Sequence, residues 1–153
     1  MVIHLYKYYL LLIFVVRINI ISPRKLADQH LLAENVEILM LASYAKNNPC
    51  LDEIPKEYCL GKGHIKFFKD KIKYLELRHE LIKIEMKNRG FKANKTISLV
   101  GFKKYQLNTW NPTNKDFKII KERIIWKIKN KPNYYNYYGK KRSLSFFKRL
   151  LDS

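Results

Sequence analysis

Three groups of side chains have the types and spacing to do chemistry. Gln29, His30, Glu34 and Glu37 lie close together, and on a helix the last three share one face. A carboxylate on an apolar-leaning helix of a basic chain is a candidate general acid or base. The plainer alternative is that these side chains pair with surface lysines. A His and a Glu four apart can also share a metal, but no other metal-ligand spacing is present and no metal is expected. The second group is Gly61-Lys62-Gly63-His64. At the head of a helix its N–H groups would form an anion site, with Lys62 adding charge. The spacing is not that of a Walker loop. An ordinary glycine-rich turn with a partly buried His64 is an equal alternative. In the third group, Arg123 and Lys127 lie four apart, and with Lys131, Lys140, Lys141 and Arg142 they frame Tyr134, Tyr135, Tyr137 and Tyr138. Cations take phosphates and rings stack on bases, which suits nucleic acid. The alternative is that some of these rings pack back onto the helices.

These groups need elements to position them. Ser22-Pro23 predicts a helix start, and Asn47-Asn48-Pro49 a stop after about Lys46. A second helix is predicted from about His64 to Arg89. Its stripe is Ile65, Phe68, Ile72, Leu75, Ile82 and Met86, and Gly90 ends it. Phe91 to Asn111 reads as irregular, with a short strand at Thr96–Phe102. Thr113 caps a third helix with Asp116 as its capping-box partner, and Phe117, Ile120, Ile124 and Ile128 form the buried stripe. Pro132 ends it. Leu144–Leu151 predicts a short amphipathic turn. The expected fold is all-α, a compact single domain of three main helices with long irregular connections.

Composition limits the class of partner. The 153 residues carry 31 Lys and Arg against 13 Asp and Glu, a formal charge of +18, yet 47% are apolar. This is a folded polycation rather than a disordered one. It calls for a polyanion, with nucleic acid first and an anionic membrane surface second. Cys50 and Cys59 are too few for a disulfide framework, so a reduced, cytoplasmic protein is expected. Residues 1–15 form an apolar extension, shorter than the roughly 20 residues of a membrane span. No small-residue cleavage site follows it. The expected organisation is this extension, a domain over 16–142 and a basic amphipathic tail over 143–153.

Three segments resemble a known family. They are Arg17-Ile18-Asn19 with Leu26-Ala27-Asp28-Gln29-His30-Leu31-Leu32-Ala33-Glu34 and Glu37; Gly61 to Lys71; and Lys131-Pro132-Asn133-Tyr134-Tyr135-Asn136-Tyr137-Tyr138-Gly139-Lys140. Together they resemble the pyrimidine-dimer DNA glycosylases of the phage endonuclease V type, over Val16 to Lys140. The resemblance implies a small, mostly helical, metal-free enzyme without cofactor. It would excise cyclobutane pyrimidine dimers from double-stranded DNA and then cut the abasic strand. It implies that the α-amine of Val16 is the nucleophile and that Glu37 is the catalytic carboxylate. By the same resemblance Arg17, Gln29 and His30 contact DNA, Arg123 and Lys127 contact phosphates, and Tyr134 to Tyr138 form the C-terminal aromatic motif. Lys62, His64, Lys131 and Lys140 complete the expected DNA-binding set. Val36 and Leu39-Met40 depart from the family pattern, which commonly has Arg before the glutamate and Pro after it.

An α-amine, with a pKa of roughly 7.7–8.0, suits the nucleophile's role better than an ordinary Lys. It must be free, yet Val16 follows fifteen residues here. A start at Val15, if its codon is GTG, would begin the chain Met-Val16, and proteolytic processing would leave the same terminus. The competing readings are a non-catalytic basic DNA-binding protein of the same fold and a membrane-tethered or exported basic protein. A monomer without stable membrane association is the expectation.

Overall fold

The computed structural model describes residues 17–153, and they form an all-α fold. The helices are α1 (Asp28–Asn47), α2 (Lys62–Phe68), α3 (Ile72–Asn88), α4 (Asn114–Asn130) and α5 (Leu144–Asp152). One small hairpin, β1 (Asn136–Tyr137) against β2 (Lys140–Lys141), stands between α4 and α5. Three helices are long, as expected, and α1 packs along α3 while α5 packs on α4. Among the described residues no helix is long and apolar enough to cross a membrane.

The core follows the periodicity. Leu31, Ile38, Leu41 and Ala45 of α1 face Ile72, Leu75, Ile82 and Met86 of α3, with Ile120, Ile124 and Ile128 closing from α4. Thr113 caps α4 as expected. Its Oγ1 accepts from the Asp116 N–H at 3.3 Å, and the Asp116 carboxylate accepts from the Thr113 N–H at 2.8 Å. Leu144–Asp152 is a full helix rather than a turn, capped by Ser143, with Phe147 and Leu151 buried.

Two expected helices are interrupted. The first does not run on from Ser22-Pro23. Pro23–Lys25 is a 3-10 turn, Leu26 and Ala27 are extended, and α1 begins at Asp28. Arg89 is the reason, because its guanidinium takes the Leu26 carbonyl at 2.8 Å and the Pro23 carbonyl at 3.2 Å. The second expected helix divides into α2 and α3 at Lys69–Lys71. Carbonyls freed by the break are taken by the Asn108 side chain at Asp70 (2.8 Å) and by Gln106 at Lys69 (3.4 Å), and Lys71 bridges to Leu107. Periodicity cannot see such partners. Thr96–Phe102 is not a strand. The hairpin turns on Tyr138 and Gly139, both at positive φ (50° and 74°), the conformation of a tight two-residue β-turn.

Candidate functional site

The segment entering the fold at Arg17 is tied down residue by residue. Ile18 is fully buried; its N–H donates to His64 Nε2 at 2.8 Å, and its carbonyl accepts from the Tyr58 hydroxyl at 3.1 Å. Because Nε2 accepts, the His64 proton sits on Nδ1 and is donated to the Cys59 carbonyl at 2.8 Å. Burial pushes the His64 pKa down to about 4, against the pull of the Cys59 carbonyl, so the ring is neutral. Asn19 donates to Glu34 Oε2 at 2.8 Å. Glu34, with no exposure, is held bidentately by Arg78 at 2.8 and 3.1 Å, and the same guanidinium donates to the Ile21 carbonyl. Between these anchors Ile20 is forced to φ 46°, a left-handed conformation that a β-branched residue adopts only when its surroundings impose it.

These anchors deliver Arg17 to Glu37. The Arg17 N–H donates to Glu37 Oε2 at 2.8 Å. The two line a cavity of about 250 Å3 with His30, Arg123, Lys127, Tyr135, Asn19, Ala33 and Ile124. Burial pushes the Glu37 pKa up to about 7, against the Arg17 N–H and the nearby cations, so the group exchanges a proton near neutrality. Burial, then Lys127 and Arg17, hold His30 down to about 4. Its ring lies 4.7 Å from that of Tyr135, and its Nδ1 has no hydrogen-bond partner among the described residues. Burial, then repulsion from Arg123, also lowers Arg17 and Lys127. The cavity thus combines a proton-exchanging carboxyl, a neutral imidazole and three cations that attract phosphate.

The structure gathers Arg17, His30, Glu37, Arg123, Lys127 and Tyr135 into this one site. Val16 lies outside the described residues. Four expected DNA contacts have partners within the chain. Gln29 donates to the Tyr134 carbonyl and accepts from the Asn136 N–H, both at 2.9 Å. His64 is 2% exposed with both nitrogens engaged. The Tyr137 hydroxyl donates to the Arg24 carbonyl at 3.0 Å, and the Tyr138 hydroxyl to Glu85 at 3.0 Å. The Arg89 guanidinium lies 4.7 and 4.8 Å from the centroids of those two rings. Tyr135 is 5% exposed, so it floors the cavity rather than reaching outward. Tyr134, Lys62, Lys131 and Lys140 are exposed.

One sequence reading needs correction. Glu34 pairs with buried Arg78, not with a surface Lys. The glycines near Lys62 answer to backbone and packing: Gly61 has φ 78°, and a Cβ at Gly63 would lie 2.6 Å from Cys59 Sγ. Sequence reasoning also missed several residues. Asp28 accepts the hairpin N–H groups of Tyr138 (3.2 Å) and Gly139 (2.8 Å). Tyr58, Arg78 and Asn19 anchor the entering segment. Trp126 is 53% exposed beside Arg123. Only Trp126 had a signal, a tryptophan on the basic face of an otherwise regular helix.

A family model described as pyrimidine dimer DNA glycosylase matches residues 15–99, more than half of the chain. The matched stretch includes Arg17, His30, Glu37 and the His64 anchor.

Proposed function

The chain belongs to the pyrimidine dimer DNA glycosylase family, and from that premise we propose that it excises cyclobutane pyrimidine dimers from duplex DNA with the α-amine of Val16 as nucleophile. A DNA substrate and a role in DNA repair follow from the family itself. The observation that carries the finer reading is the bond from the Arg17 N–H to Glu37. It sets the residue next to the proposed nucleophile against a carboxyl that titrates near neutrality.

The amine lone pair attacks C1′ of the 5′ nucleotide of the dimer. The glycosidic bond breaks, and its electron pair leaves with the base, which takes up a proton. The amine, having lost its own proton, becomes an imine on the opened sugar. Removal of a C2′ proton then expels the 3′ phosphate by β-elimination and cuts the strand. Glu37, half protonated near neutral pH, accepts and returns these protons and stabilises the cationic sugar. His30, uncharged, adds no repulsion against the imine. Arg17, Arg123 and Lys127 draw the phosphates, and their charge keeps the neighbouring amine unprotonated. The lesion's weakened stacking lowers the cost of kinking the duplex. The enzyme acts in this reading as a monomer in the cytoplasm, without metal or cofactor.

The test is borohydride reduction of the imine on damaged DNA. A chain that begins Met-Val16, freed of its Met, is expected to give a covalent protein–DNA adduct. The 153-residue chain, with Val16 internal, is expected to give none. Equal trapping by both removes Val16 from the mechanism.

A further inference from the structure

Neither the fold nor the reaction above uses Trp126. It lies on α4 off the buried Ile120, Ile124 and Ile128 stripe, and 53% of it is exposed. Packing therefore does not account for it, since indole is among the side chains that gain most from burial. Its neighbours are more informative. Arg123, one turn earlier, holds its guanidinium 4.3 Å from the indole centroid. Arg123 also lines the Glu37 cavity, as does Lys127, the residue that follows Trp126. The arrangement recurs beyond the end of α4. The Lys131 ammonium lies 5.0 Å from the ring centroid of Tyr134, which is 51% exposed. Tyr134 meets Tyr135 edge-on at 5.1 Å, and Tyr135 lines the same cavity. Two exposed rings, each paired with a cation, thus each touch a residue of the cavity wall.

The geometry points to a second DNA subsite on this rim, in which Trp126 stacks on an unpaired nucleobase beside the lesion. The inference rests on the glycosylase reading above. Removing a dimer from the duplex breaks stacking, and a base that loses its neighbour needs another aromatic surface. The guanidinium of Arg123 fixes the indole's orientation beforehand, so little side-chain freedom is left to lose on binding. Arg123 and Lys131 lie against the two rings, Lys127 and Lys129 follow Trp126 on the same helix, and Glu122 is the acidic residue one turn back. That charge favours a polyanion over an apolar protein partner. Indole offers a stacking face to any base, so the subsite would be indifferent to sequence.

The test uses the full chain and two duplexes, one carrying a tetrahydrofuran abasic analogue that cannot be excised and one fully paired. Trp126→Ala is expected to weaken binding to the abasic duplex about tenfold while leaving the salt dependence and the thermal midpoint unchanged. Trp126→Phe is expected to restore most of the loss. The emission that Trp126→Phe removes should be quenched when DNA binds the parent. Trp110 serves as internal reference, because it packs among Tyr58, Phe67 and Tyr74. Abasic-duplex binding within about twofold of the parent overturns the subsite, as does an equal loss on both duplexes or Trp126 emission unmoved by DNA. None of these readouts needs catalysis. Failure of the chain that begins Met-Val16, freed of its Met, to excise a dimer would overturn the glycosylase reading separately.

Discussion

The Arg17 N–H and the Glu37 carboxylate meet at 2.8 Å across twenty residues of sequence. No single contact enforces this. Ile18 is held by His64 and Tyr58, Asn19 by Glu34, and Ile21 by Arg78. The leftover cost appears at Ile20, whose positive φ lets the segment satisfy all four anchors at once. Glu34 and Glu37, one turn apart on α1, thereby divide the work. Glu34, paired with Arg78, is structural, while among the described residues Glu37 accepts from the Arg17 N–H and has Arg17 and Lys127 as its nearby cations. Burial then dominates and raises its pKa.

His64 should set part of the protein's sensitivity to acid. Its pKa falls from 6.5 to about 4 on folding. Between those values the unfolded chain binds a proton that the folded chain refuses, so stability drops as pH falls through that window. His64→Gln keeps an acceptor for the Ile18 N–H and a donor for the Cys59 carbonyl but does not titrate. In urea unfolding the Gln variant should lose about 3 kcal/mol less than the parent between pH 7 and pH 4. His30 titrates in both proteins and does not affect the comparison. His64→Leu leaves both backbone groups buried and unpaired, at about 1–3 kcal/mol each, and should lose excision that Gln retains. Parallel pH curves for parent and Gln variant would show that the imidazole is not held neutral.

Much of the site was legible because it sits on regular helices. The spacing of His30 and Glu37 on α1, and of Arg123 and Lys127 on α4, survives unchanged into the cavity. The aromatic cluster was harder to read. Its rings divide between wall, clamp and surface according to contacts made by Asp28, Gln29, Glu85 and Arg89, each more than forty residues away in sequence. Composition shows that tyrosines are present but not which of them Arg89 takes. The helix breaks at Leu26-Ala27 and Lys69–Lys71 were hidden for the same reason. The local pattern is helical, and the partners that stabilise the break come from Arg89, Gln106 and Asn108.

The electrostatic contribution of α4 can be measured through salt. Arg123 and Lys127 both line the cavity, and Arg123 lowers the proton affinity of Arg17 and Lys127. If each neutralises one phosphate, replacing both with Ala should reduce the slope of log K against log salt by about 1.8. Damaged and undamaged duplex should be affected alike, because phosphates carry no lesion signal. A slope unchanged from that of the parent would place α4 away from the DNA.

Glu37 should trade stability for activity, and the sign of the pH effect makes the trade measurable. Its pKa rises from 4.5 to about 7 on folding. Below pH 4.5 both states hold the proton and the site costs nothing. As pH rises toward 7 the unfolded chain releases the proton while the folded chain retains it, so folding becomes progressively less favourable. Above pH 7 the penalty is complete, at about 3 kcal/mol. Glu37→Gln still accepts from the Arg17 N–H through its amide oxygen but has no charge to desolvate. It should be about as stable as the parent at pH 4 and more stable by up to about 3 kcal/mol at pH 8, read from urea midpoints at the two values. The same variant should bind damaged duplex nearly as well as the parent and excise at least about a hundredfold more slowly, because the group that moves protons is gone. Excision within about tenfold of the parent would remove Glu37 from the chemistry. A stability difference independent of pH would show instead that its carboxyl is not raised by burial, and the proton exchange argued from that shift would fail with it.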